Sequence, residues 1–347
     1  MNEKVQVPLP CNIQEEDLPY FEPYTSYDTP SLEVKNIENA FVTYTGLVID
    51  ESGLVKESHH QYEEEYTNCL NEASHYYKDA YDNPDHLISL DDDNIYLLIH
   101  HPWYNYYHWI CEAILRLWMV KKDIDNYILL LPDYYKNSDF IMGSLEPFNI
   151  KNIYFIPKGK SLYVKNLCMP QLKPLCDAYD IRQLHQIRNF YLSYVLTVKR
   201  ININLGEKLY LSRRKAARKK VTNEKEVENL VSKYGFAVVY NEDFTFLEQI
   251  SIYANARYLI SIHGSGLTNM LFMQPESVII EILKKKTNTL DRPSFVFWYQ
   301  AAALGFRYYG QLANPITPND DYFLGDFQVD IVQLEKHLQH AFDSTFS

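Results

Sequence analysis

Ser261-Ile262-His263-Gly264-Ser265-Gly266-Leu267-Thr268-Asn269-Met270 is the stretch that decides the fold of this 347-residue chain. An apolar strand runs into a glycine-containing turn and then directly into a helix. Such a junction offers backbone N–H groups at a positive dipole end, a ready site for an anion. Gly264 and Gly266 are expected to let the backbone come close to that anion and to take positive φ. His263 falls at the carboxyl end of a strand, where open α/β sheets bind ligands. Alone, the pattern describes a plain structural turn equally well.

Its surroundings add weight. Leu209–Ser212 reads as a strand, Asn223–Tyr234 as a helix capped by Asn223, and Gly235 stands where a helix C-terminus favours glycine. Phe236–Tyr240, Phe246–Ala254, Tyr258–Ile262, Leu267–Phe272 and Val278–Leu283 then alternate strand and helix, a Rossmann-like succession. Arg213 and Arg214 follow the first strand, where guanidinium groups can grip a diphosphate. Lys215 to Lys220 read as a solvated basic loop. Glu281 interrupts an apolar strand, either paired in the core or accepting from ribose hydroxyls. Val329–Phe342 is an amphipathic helix.

The N-terminal half is less regular. Residues 1–30 read as an irregular arm, Phe41–Asp50 as a strand, and Glu57–Asp93 shows weak periodicity and no assigned element. Ile95–His100, Tyr127–Leu131 and Ile153–Ile156 are short apolar strands, separated by helices at Tyr106–Lys122 and Asn137–Leu145. His108, Glu112 and Arg116 form a polar stripe along the first of these helices. The stripe faces either solvent or a cleft, and in a cleft His108 and Glu112 can take a proton from a hydroxyl. Asp91-Asp92-Asp93 is expected to be an exposed turn, and His59-His60 has no ligand spacing. A helix from Asp177 to about Lys199 bridges the halves, with Asn202–Gly206 as a linker. The expected division is therefore 1–204 and 205–347.

Composition excludes several classes. A net charge of −12 disfavours a broad nucleic-acid footprint. Five scattered cysteines suggest neither a disulfide framework nor a zinc site. No signal peptide or membrane span is apparent, so a cytoplasmic location with at most peripheral membrane contact is expected. Ser265 lacks the Gly-x-Ser-x-Gly context of a hydrolase nucleophile. Thirty tyrosines supply rings suited to stacking on sugars.

Three blocks resemble glycosyltransferase family 61, a capsular-polysaccharide-biosynthesis type of domain. They are Tyr106-Tyr107-His108-Trp109 with Glu112, Tyr210-Leu211-Ser212-Arg213-Arg214, and His263-Gly264-Ser265-Gly266-Leu267-Thr268-Asn269 through Glu281. The resemblance implies an α/β GT-B fold, two Rossmann-like domains facing across a cleft, with the last helix crossing back to the first domain. It implies inverting, metal-independent transfer of a hexose or pentose from a nucleotide sugar, expected to be UDP-linked, to a saccharide or lipid-linked saccharide acceptor in surface polysaccharide synthesis. Glu112 or His108 would be the base. Arg213, Arg214, His263, Gly264, Ser265, Gly266, Leu267 and Asn269 would bind the donor, with Glu281 on the ribose. The family's Pro-Arg-Leu is Leu115-Arg116-Leu117 here, and its Ala between the glycines is Ser265. A non-catalytic nucleotide- or glycan-binding protein is the alternative. A dinucleotide oxidoreductase is weaker, since no GxGxxG follows an early strand.

Overall fold

The computed structural model describes residues 3–59, 62–173, 175–288, 290–314, 316, 321 and 324–343. His60, noted above, lies outside them. The fold is mixed α/β and divides into two compact units, residues 30–176 and residues 3–29 with 177–347. The division differs from the expected 204/205 boundary at both ends, and side-chain packing accounts for it.

The larger unit is built on a parallel sheet in the order Ala237–Val239, Lys208–Leu211, Tyr258–Ile262, Val278–Lys284, Arg307–Ala313. The first strand in sequence thus lies between the second and third. The chain leaves it first to one side and later to the other, and the carboxyl ends of Lys208–Leu211 and Tyr258–Ile262 border a topological switch point. Gly235 takes φ +79 after the helix Glu224–Lys233, as its position predicts. Asn223 does not cap that helix; its amide instead bonds both ways to Val329, Nδ2 to O at 2.9 Å and N to Oδ1 at 3.0 Å. A full capping box occurs at Thr245 and Glu248, ahead of the helix Phe246–Tyr253.

The terminal helix Ile331–Asp343 has its buried residues in the core of its own unit. There Leu334, Leu338 and Ala341 pack with Tyr210, Val227, Ile260 and Ile280.

The supposed irregular arm is also part of this unit. Lys4–Gln6 pairs with Ser26–Asp28, and Phe21 packs edge-on to Trp298. Cys11 N–H donates to Tyr308 O at 2.8 Å. The Asn12 side chain clamps Gly310, donating to its carbonyl at 2.8 Å and accepting from its N–H at 3.0 Å. These bonds cover the outer edge of the last strand, which would otherwise present unpaired backbone groups. The helix Ile181–Ser193 belongs here too, because Tyr191 is buried against Phe246 and Phe272.

In residues 30–176, a mixed sheet runs Gly53–Leu54, Val48–Asp50, Ser31–Val42, Ser161–Lys173, Ile95–Leu98, Tyr127–Pro132, Ile153–Ile156. The last four are parallel to one another, while Ser31–Val42 runs antiparallel to Ser161–Lys173. The proposed single strand Phe41–Asp50 is a hairpin, with Thr43 and Leu47 closing the turn. Ser161–Lys173 escaped the sequence reading because Pro170 and several polar residues break its pattern. The unassigned Glu57–Asp93 region contains a 20-residue helix, Glu63–Asp82. Among the described residues no helix is long and apolar enough to cross a membrane.

Candidate functional site

Each unit carries a histidine–glutamate pair at the carboxyl end of its parallel strands. In residues 30–176 the strand Ile95–Leu98 leads through His100 and His101 into a helical segment starting at Tyr106. Asn105 caps it, its side chain accepting from His108 N–H at 3.2 Å. The segment then widens into a π-turn over Trp109–Ala113, and Ile114 N–H reaches back five residues to Trp109 O. Such turns commonly mark functional positions in helices.

Glu112 sits in that turn, 1% exposed. Its Oε2 lies 2.8 Å from His108 Nδ1 and 2.9 Å from His101 Nε2, and its Oε1 accepts from Cys176 N–H at 3.0 Å. Burial alone would raise this carboxyl, but the two imidazoles hold it well below the usual carboxylate range. Burial also pushes His101 down to about 4 against the pull of Glu112, so its ring is neutral near pH 7. His108 is the more accessible imidazole of the two, packed beside Trp103 with ring centroids 4.8 Å apart. With Nδ1 donating to Glu112, its Nε2 carries the lone pair.

Arg116, one turn further, is equally buried. It donates to Ile99 O at 3.2 Å and Glu57 O at 3.4 Å. The His108–Glu112–Arg116 stripe therefore does not face solvent. Asp92 does form the expected exposed turn, accepting from Asn94 N–H at 3.0 Å.

His101, His108 and Glu112 also offer three donor atoms within 4.8 Å of one another, the composition of a two-histidine, one-carboxylate metal set. One hydrogen bond opposes coordination by His101. Trp103 N–H donates to His101 Nδ1 at 3.3 Å, which leaves the proton of the neutral ring on Nε2, the atom that would have to coordinate.

In the larger unit, His263 follows the strand Tyr258–Ile262. Its Nδ1 lies 2.5 Å from Glu281 Oε1 on the neighbouring strand, and Tyr308 OH donates to Glu281 Oε2 at 2.7 Å. Glu281 is thus paired in the core. Burial, together with nearby Lys219, lowers His263. The turn after it has extended φ at Gly264, 174°, and Gly266 is not in the left-handed region either. Close packing explains the glycines instead: a Cβ on Gly266 would meet Leu211 Cδ2 at 2.6 Å, and one on Gly264 would meet Arg213 Nη1 at 3.0 Å. Arg213 and the His263 turn are therefore brought together at the switch point.

Other expected donor residues are placed differently. Arg214 pairs with Glu228 at 2.9 Å. Leu267 is core, and buried Asn269 donates to Gln249 Oε1 at 2.9 Å. Ser265 is half-buried in the turn. The sequence reading overlooked His101, Cys176 and Tyr308, and took Lys219, which is buried, for part of a solvated loop. The doubled histidine after an apolar strand was a usable signal for the first; the others are set by distant packing.

No curated protein matches the chain. A family model, Glycosyltransferase 61, matches residues 106–280, half of the chain, from the first turn of the His108 helix to the residue before Glu281. That span encloses His108, Glu112, Arg213 and His263, and the chain belongs to glycosyltransferase family 61, a glycosyltransferase acting on a sugar donor and an acceptor.

Proposed function

We propose that the protein is an inverting glycosyltransferase of GT-B type that moves a sugar from a nucleotide-sugar donor, UDP-linked, to a saccharide acceptor in surface polysaccharide synthesis. The observation that carries the mechanism is the buried His108–Glu112 pair. A carboxylate that is enclosed, strongly acidic and bonded on both oxygens is a poor proton acceptor near neutrality. Glu112 therefore orients and polarises His108, whose Nε2 takes the proton of the acceptor hydroxyl as that oxygen attacks the anomeric carbon. Direct displacement inverts the configuration and releases a nucleoside diphosphate.

Arg213 and the turn after His263 stabilise the charge growing on that leaving group. Their meeting at the switch point of a parallel sheet supports a nucleotide there. Glu281 acts on the donor through His263. Transfer is expected to proceed in EDTA, since the cationic groups supply the charge a metal would.

The test is transfer from UDP-, GDP- and CMP-sugars to a panel of saccharide acceptors, with the anomeric configuration of the product read by NMR. A product of inverted configuration from the wild type, absent with His108→Ala, upholds the reading. Retained configuration would overturn the mechanism. Donor binding without turnover on any acceptor would favour a binding protein on this scaffold.

A further inference from the structure

From Ile181 to Gly206 the chain holds Arg182, Arg188, Lys199 and Arg200 and no aspartate or glutamate. With 45 acidic residues in 347 and a net charge of −12, about three would be expected in a stretch of that length. Protein surfaces ordinarily intersperse both signs. The helix Ile181–Ser193 fills half of the stretch and continues as wider turns over Tyr194–Lys199, and Arg200, at φ +56, ends it. Asp180, just before it, is committed to capping, its side chain accepting from Gln183 N–H at 2.8 Å.

The two faces of this helix differ. Leu184, Ile187, Tyr191 and Val195 are buried, Tyr191 against Phe246 and Phe272. Arg182, Gln186, Asn189, Ser193, Thr197 and Arg200 are exposed and recur at the three- and four-residue spacing of the opposite face. Ile181, Leu196 and Val198 are exposed beside them, at 37%, 43% and 65%. Arg188 is tethered at the edge, donating to Met273 O at 2.6 Å and to Asn189 Oδ1 at 3.2 Å. The helix itself does not call for this arrangement. Cations suit a helix C-terminus, which accounts for Lys199 and Arg200, but Arg182 stands in the first turn, where the dipole disfavours positive charge.

We propose that this face, from Arg182 to Arg200, docks on an anionic lipid bilayer. Arg182, Lys199 and Arg200 lie among the headgroups, and Leu196 and Val198 enter the boundary with the acyl chains. Charge complementarity sets the sign of the partner, since the face carries cations alone on an otherwise acidic chain. The exposed aliphatic side chains beside those cations select a bilayer over a nucleic acid, whose phosphates offer Leu196 and Val198 no apolar contact. The contact is peripheral, because the apolar face of the helix stays in the protein core. The inference goes beyond the transferase reading and does not depend on it; a lipid-linked saccharide acceptor would be met at such a surface.

The experiment is co-sedimentation of the full chain with vesicles of phosphatidylcholine alone and of phosphatidylcholine with about 30% phosphatidylglycerol, at about 0.1 M and about 0.5 M salt. The expected result is binding to the anionic vesicles about 10-fold tighter than to the neutral ones, and lost at the higher salt. Arg182→Gln combined with Arg200→Gln should weaken it about 10- to 30-fold. Leu196→Ser combined with Val198→Ser should weaken it about 10-fold. All four side chains are exposed, so thermal melts of both variants should match the wild type. Transfer to a soluble saccharide acceptor should be unchanged as well, which keeps failure of this surface apart from failure of the transferase reading. No binding to anionic vesicles, equal binding to both compositions, or binding that neither variant weakens would overturn the surface. Arginine-dependent binding of duplex DNA in place of vesicles would overturn it in favour of a nucleic-acid contact.

Discussion

His108 Nδ1 lies 2.8 Å from Glu112 Oε2, one helical turn away, and the same carboxylate is held from its other side by Cys176 N–H. The glutamate is the fixed partner, and the histidine is the less deeply buried one. This ordering makes the two residues separable by experiment.

His108→Ala should lower turnover about 10²- to 10⁴-fold with donor affinity retained. Added imidazole should recover part of the rate, because it can occupy the vacated ring position. Glu112→Gln should lose a comparable factor but gain nothing from imidazole. Steady-state rates with and without imidazole decide it, and rescue of the glutamine variant alone would reverse the assignment.

Stability should fall in acid. Burial lowers His100 to about 3 and His101 to about 4, against about 6.5 for an unfolded histidine. Between about pH 6.5 and 4 the unfolded chain binds protons that the folded one refuses. Each such proton costs about 1.4 kcal/mol per pH unit. The histidine contribution is therefore complete above pH 6.5 and is lost as pH falls. Urea unfolding at pH 7 and pH 5 measures it, and equal midpoints would contradict it.

The two glycines of the turn should behave differently when changed to alanine. Gly266→Ala drives a methyl into Leu211 on the packed sheet and should cost about 1–3 kcal/mol in chemical denaturation. Gly264→Ala meets only the far end of the Arg213 side chain, so the fold should persist. Displacing that guanidinium should instead weaken nucleotide binding, measured by calorimetry.

Asn12→Ala removes both bonds to Gly310 and leaves a buried N–H and C=O unpaired. A loss of about 1–3 kcal/mol is expected, read as a lower Tm. The variant tests whether the N-terminal segment is structural. An unchanged Tm would mean that it is not.

Several elements were legible in the sequence because their causes are local. Tyr258–Ile262 is observed with the bounds its apolar run suggested, Gly235 ends its helix, and the alternation from Leu209 onward gives a parallel sheet. The motif blocks placed His108, Glu112, Arg213 and His263 in one family. Periodicity could not say which face of a helix is covered. The His108–Glu112–Arg116 stripe is buried because Ile99 and Glu57, far away in sequence, supply carbonyls to Arg116, and because a π-turn shifts the helix register at Glu112. Lys219 looked like a solvated loop residue until Arg213, Asp326 and Phe327 folded its loop inward. Local pattern fixes what a segment can become, whereas burial, and with it the acidity of every ionisable group in these sites, is set by segments that meet only when the chain has folded.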